Sequence, residues 1–146
     1  MKDPGTAIRK SYFEALNQQI VIEGAFIPVV DEKLDEQITE QDIYIALSTQ
    51  SDNPRPNKSY FASDITIAAV IVQNTKAAVS KEIVEDVSNQ MLQIVIPSVG
   101  NHGLTIDAPF RITYVKLDSG QTQGAKLDNG DYVIAKQLNF RNRITQ

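Results

Sequence analysis

Any chemistry in this chain would have to come from a short inventory: one histidine, eighteen carboxylates, fourteen lysines and arginines, and hydroxyls, with no cysteine. A thiol nucleophile is therefore excluded, and a serine nucleophile would need His102 as its base. His102 sits in Gly100-Asn101-His102-Gly103, a turn-like context, and no G-x-S-x-G elbow occurs. A zinc site is equally disfavoured, because one histidine without cysteines leaves only carboxylates to complete the ligand set. Glu82 and Glu85 are paired carboxylates, but nothing in the sequence supplies the partner that an acid–base mechanism requires. Gly120 to Lys126 superficially resembles a phosphate loop. No Ser or Thr follows the lysine, however, and the stretch separates two strands instead of opening a helix, so it reads as a flexible hairpin connection. Asn57-Lys58-Ser59 matches a glycosylation acceptor by chance, since no leader peptide is evident. The expectation is a protein without catalytic, cofactor-binding or metal-binding residues.

What remains is binding. Residues 31–42 carry Asp31, Glu32, Asp35, Glu36, Glu40 and Asp42 against Lys33 alone, without the spacing of a calcium loop, and read as a solvated connection. Residues 52–60 form a long loop holding Asp52, Asn53, Arg55, Lys58 and Tyr60. Pro54 and Pro56 restrict its free conformations and lower the cost of ordering it on a partner; the plainer reading is an exposed hairpin tip. Arg141 and Arg143 share one face of the last strand, where they could pair with acidic groups on a neighbour or keep an exposed edge soluble.

The elements that must position these residues follow from periodicity. Ile8, Tyr12, Ala15 and Leu16 fall on one side of a helix over residues 6–18, with Asp3 as a cap and Pro4 at the first helical position. Ile20 to Ile22 and Phe26 to Val30 predict a tight hairpin around Glu23-Gly24, with Pro28 favouring an edge. Residues 42–73 predict a longer hairpin in which Ile43, Ile45 and Leu47 face the core. Residues 65–72, apolar on both faces, are then either central or covered by another subunit. Ser80 to Val95 predicts a helix capped by Ser80 and ended by Pro97. Its stripe is Ile83, Val84, Val87, Met91, Ile94 and Val95, with Ser88 away from it. Strands over 110–117 and 132–143 close the chain, the second announced by Asn129-Gly130. The order α-ββ-ββ-α-ββ predicts an α+β fold: one antiparallel β-sheet with two helices packed on one face, as a single domain over residues 1–146.

Length and composition agree. At 146 residues the chain can bury about 70% of its unfolded surface without a staple. Its 42% hydrophobic and 22% charged residues are those of a globular protein. No run approaches the ~20 apolar residues of a membrane span, so no membrane partner is expected. A net charge of −4 and a pI near 4.9 argue against tight nucleic-acid binding, though not against a conduit whose wall lets DNA slide.

In order along the chain stand Ile8-Arg9-Lys10-Ser11-Tyr12-Phe13-Glu14-Ala15-Leu16, Val29-Val30-Asp31, and Ile43-Tyr44-Ile45-Ala46-Leu47 with a polar loop containing Lys58-Ser59. Ile65-Thr66-Ile67, Glu85-Asp86-Val87-Ser88 and Leu138-Asn139-Phe140-Arg141-Asn142-Arg143-Ile144 follow. This succession resembles the tail terminator, or tail completion, family of tailed bacteriophages. The resemblance implies a structural assembly protein of the virion, built in the bacterial host cytoplasm. It would form a homo-oligomeric ring, usually of six, at the head-proximal end of the tail tube. The ring would contact the tail tube protein and a neck or head-completion protein, ending tube polymerisation and joining tail to head while DNA passes through its lumen unbound. Six copies would carry a formal charge of about −24. The acidic stretch 31–42 and the connection 120–126 depart from the family pattern. Two alternatives stand beside this reading: a head-completion or neck connector protein, and a small-ligand-binding α+β domain using the open sheet face.

Overall fold

Helix α1 (Pro4–Leu16) starts where Asp3 turns its carboxylate onto the exposed amides: Oδ1 accepts from the Gly5 N–H at 2.8 Å, and Oδ2 from the Thr6 hydroxyl at 3.0 Å. Ile8, Tyr12 and Leu16, spaced by four, are wholly buried. The computed structural model describes residues 3–31, 42–55, 61–77 and 80–146. Glu23 and Gly24, both at positive φ, make the two-residue turn between β1 (Val21–Ile22) and β2 (Ala25–Phe26), as such a loop demands.

The five-stranded sheet comprises β3 (Val29–Asp31), β4 (Ile43–Pro54), β5 (Ala62–Thr75), β6 (Arg111–Lys126) and β7 (Tyr132–Thr145), in the order β3-β4-β5-β7-β6. All its pairings are antiparallel except that of β3 with β4. Helix α2 (Glu82–Val95) joins β5 to β6. Both described helices lie on one face, so the α+β architecture expected from the element order is the one observed. Ile45 and Leu47 of β4, Ile65, Ile67, Ala69 and Ile71 of β5, and Ile134, Leu138, Phe140 and Ile144 of β7 meet Ile8, Tyr12, Leu16, Val84, Val87, Met91 and Val95 in one core. Asn142 lies inside this layer. Its Oδ1 accepts from the Tyr12 hydroxyl at 2.6 Å, and its amide donates to the carbonyls of Ile65 and Phe140, both at 3.1 Å.

Four local expectations are corrected. The run from Phe26 to Val30 is not one strand: Pro28 lacks an amide donor, and its carbonyl accepts from the Ile45 N–H at 2.9 Å, which turns the chain out of the hairpin and onto the sheet edge as β3. The cap position of α2 is Lys81 instead of Ser80, whose hydroxyl is 3.4 Å from the Glu82 N–H. Ser88 is buried, because positions 84, 88, 91 and 95 form one helical row; its hydroxyl has no hydrogen-bond partner among the described residues. Residues 120–126 are not a connection but the second half of β6, paired from Gly120 with Leu138 to Lys126 with Tyr132. Their glycines, Ala125 and Lys126 have low strand propensity, and it is the pairing with β7 opposite that holds them. The turn shrinks to Leu127–Asp131, where the Leu127 N–H donates to the Asp131 carbonyl at 2.7 Å and the Gly130 N–H to the Leu127 carbonyl at 3.0 Å.

Gly103 marks a contact that the sequence hid. Its N–H donates to the Val95 carbonyl at 3.0 Å, and a β-carbon there would lie 2.1 Å from the Ile94 carbonyl oxygen. Only glycine lets this loop seal the end of α2. His102 serves the same turn, its Nδ1 accepting from the Leu104 N–H at 3.3 Å.

Candidate functional site

Neither of the described helices reaches the second face of the sheet. Because side chains alternate along a strand, the residues opposite the core are Tyr44, Ala46 and Ser48 of β4, Asp64, Thr66, Ala68, Val70 and Val72 of β5, Val133 to Arg143 at odd positions of β7, and Tyr114 and Lys116 of β6. Residues 65–72 are central, as one branch of the sequence expectation had it. Their helix-facing members are fully buried, whereas on the open face Ala68 is covered by its neighbours and Val70 and Val72 are half-buried.

At the end of this face where β4 leaves and β5 enters, charged groups converge. Asp64 is 4% exposed. Arg143 grips it with two hydrogen bonds, Nε to Oδ1 at 2.8 Å and Nη2 to Oδ2 at 2.9 Å, while Nε of Arg55 lies 2.7 Å from Oδ2. The Tyr114 hydroxyl stands 3.5 Å from Oδ1, and the Arg143 guanidinium stacks over the Tyr114 ring at 5.0 Å. The hydrogen bond from Arg143 holds the Asp64 carboxyl below its ordinary value. Burial works against this, and the charges of Arg143, Arg55 and Arg141 reinforce it. Arg141, one residue pair along, reaches Asp118 at 3.4 Å.

The expected binding residues are therefore distributed unevenly. Asp52 and Asn53 belong to β4, paired with Ile65 and Asp64, so the hairpin tip is shorter than expected; Asp52 accepts a hydrogen bond from Ser63. Arg55 folds back from the strand end onto Asp64. Lys58 and Tyr60 lie outside the described residues, as does all of the acidic stretch except Asp31 and Asp42. Asp31 pairs with Arg9 at 2.5 Å. Arg141 and Arg143 share a face as expected, but β7 is not a sheet edge. The lengthened β6 covers it, and both arginines have carboxylate partners within the chain.

Sequence reasoning missed Asp64, Tyr114 and Arg111. Asp64 left a signal: a carboxylate near the start of the most apolar strand must find a cation. Arg111 and Tyr114 left none, since the bulge between Ile112 and Tyr114 sets which face they join. Arg55, Arg111 and Arg143 border a cleft of about 690 Å³ with Ala62, Thr113 and Thr145. A groove of about 890 Å³ lies at the opposite end of the sheet, against Ile22, Phe26, Ile43 and Ile83. No cluster of three metal-capable side chains occurs among the described residues, and none of their helices is long and apolar enough to cross a membrane.

No protein-family model matches this sequence, and no curated protein does. Among solved structures, a chain of the virion of a native gene transfer agent particle is similar over 97% of this chain and 96% of its own, with a TM-score of 0.71 and 10% identity. At that identity the two share a fold, and they share it from end to end.

Proposed function

We propose that this protein is a structural component of a phage-type virion, a tail terminator that forms a ring on the head-proximal end of the tail tube, stops its growth and joins it to the neck. The observation that carries the reading is the whole-length fold likeness to a virion chain. The open sheet face supports it: Val70 and Val72, half-buried in the single chain, offer apolar surface to a neighbour. A closed ring needs a heterologous contact, one patch meeting a different patch on the next copy. Such a protein works by shape and adhesion, without a reaction. Its partners are its own copies, the tail tube protein and a neck protein, and its place is the virion.

Electron microscopy of tail tubes assembled with and without the protein tests this. Tubes of defined length capped at one end by a ring are expected with it, and tubes of uncontrolled length without it. Capsid loss with unchanged tube length would shift the assignment to a head-completion protein, and absence of the chain from purified particles would overturn it.

A further inference from the structure

The charge of this chain is divided between two places. Residues 31–42 hold six carboxylates against one lysine, whereas the remaining residues hold thirteen lysines and arginines against twelve carboxylates. A single stretch thus accounts for the entire net charge of −4. The arginines, in turn, gather at the cleft bordered by Arg55, Arg111 and Arg143. Asp64 offsets one of these three charges and holds Arg55 and Arg143 in position; Arg111 is exposed and has no ion-pair partner among the described residues.

We propose that this cleft docks the acidic stretch 31–42 of a second copy of the chain. Guanidinium groups held in fixed geometry suit carboxylates, which they engage through paired hydrogen bonds. Nucleic acid is the weaker candidate, because three arginines, one of their charges already offset by Asp64, make only a short basic patch, whereas holding a phosphate chain takes several cations along its length. The stretch cannot serve the cleft of its own copy. Asp31 is paired with Leu47, and Arg55 lies eight residues further along β4, about 26 Å at the usual rise of a strand. The return to Asp42 is longer still, about 40 Å, while the eleven links from Asp31 to Asp42 span at most about 40 Å in all. The occupant must come from another molecule. The stretch leaves from the β3 edge and the cleft ends against β6 at the other edge, so each copy presents both halves of a head-to-tail contact. The inference rests on the ring reading in that respect and adds to it the residues that join neighbours.

Sedimentation equilibrium of the full chain tests the contact. At about 50 mM salt the wild type is expected to self-associate, and at about 500 mM the association should weaken at least tenfold, as screening of exposed charges requires. Arg111→Glu alone, and Glu36→Lys with Glu40→Lys, should each weaken it by about tenfold or more; all three together should restore it to within about threefold. A wild type that stays monomeric at low salt, an Arg111→Glu variant that associates normally, or a combined variant as weak as its parents overturns the proposal, as does retention of DNA without self-association. Failure here and failure of the ring reading are separable. Arg111→Glu rings that still cap tubes remove only this contact, whereas loss of the chain from particles removes the terminator role.

Discussion

Tyr12 and Asn142 are the residues on which the core is most exacting. The phenol is fully buried, tilted against Phe140 with ring centroids 5.6 Å apart, and burial pushes its pKa well above the ordinary tyrosine value. Removing its hydroxyl leaves Asn142 Oδ1 without a donor, so Tyr12→Phe should destabilise the protein by about 1–3 kcal/mol, measured by urea unfolding. Asp64 poses the opposite problem, a carboxylate in a dry position kept charged by arginines. Its folded pKa lies below the ordinary 3.8, so the stability it contributes is present above that pH and is lost as the pH falls through the lower folded value. Asp64→Asn should therefore be less stable than wild type at neutral pH by roughly 2 kcal/mol and should flatten the acid limb of the stability profile. An unchanged acid limb would mean that Arg143 and Arg55 contribute little there.

Among the elements, α2 depends on both its flanks. Gln90 fastens β1 to it, donating to the Val21 carbonyl at 2.9 Å and accepting from its N–H at 3.1 Å, so a helix side chain completes the edge of the small hairpin. At its end the Gly103 loop closes on Val95. Gly103→Ala places a methyl group 2.1 Å from a backbone oxygen, and no rotamer can relieve that contact. A loss of more than about 2 kcal/mol is expected, read as a lowered denaturation midpoint. The long hairpin of β6 and β7 shows how pairing overrides local preference: residues 120–126 are poor strand formers, yet β7 draws them into register over its whole length.

At the scale of the molecule, the described helices seal one face of the sheet, and among the described residues the other is left to its own side chains. Val70 sits near the middle of that open face, opposite Ala46 and Gln137. Val70→Lys should fold nearly as well as wild type, with Tm lowered by no more than about 5 °C, because the lysine can extend across a half-exposed surface. If the face meets a neighbouring copy, the same change should abolish rings on tail tubes in electron micrographs. Normal rings would move the contact elsewhere on the subunit.

Legible in the sequence were the two described helices, the cap at Asp3, the turn at Glu23-Gly24 and the alternation that assigns Ile43, Ile45 and Leu47 to the core. Each of these depends on residues close together in the chain, where periodicity and turn chemistry act directly. The lack of cysteine also excludes a thiol nucleophile, since composition alone bounds chemistry. Long-range packing was needed to show that β3 joins β4 in parallel, that residues 120–126 extend a strand, and that Arg55, Arg111 and Arg143 converge beside Asp64. The reason is common to all three. Each depends on which distant segment lies alongside, and strand order and bulges choose that neighbour through the packing of the whole sheet.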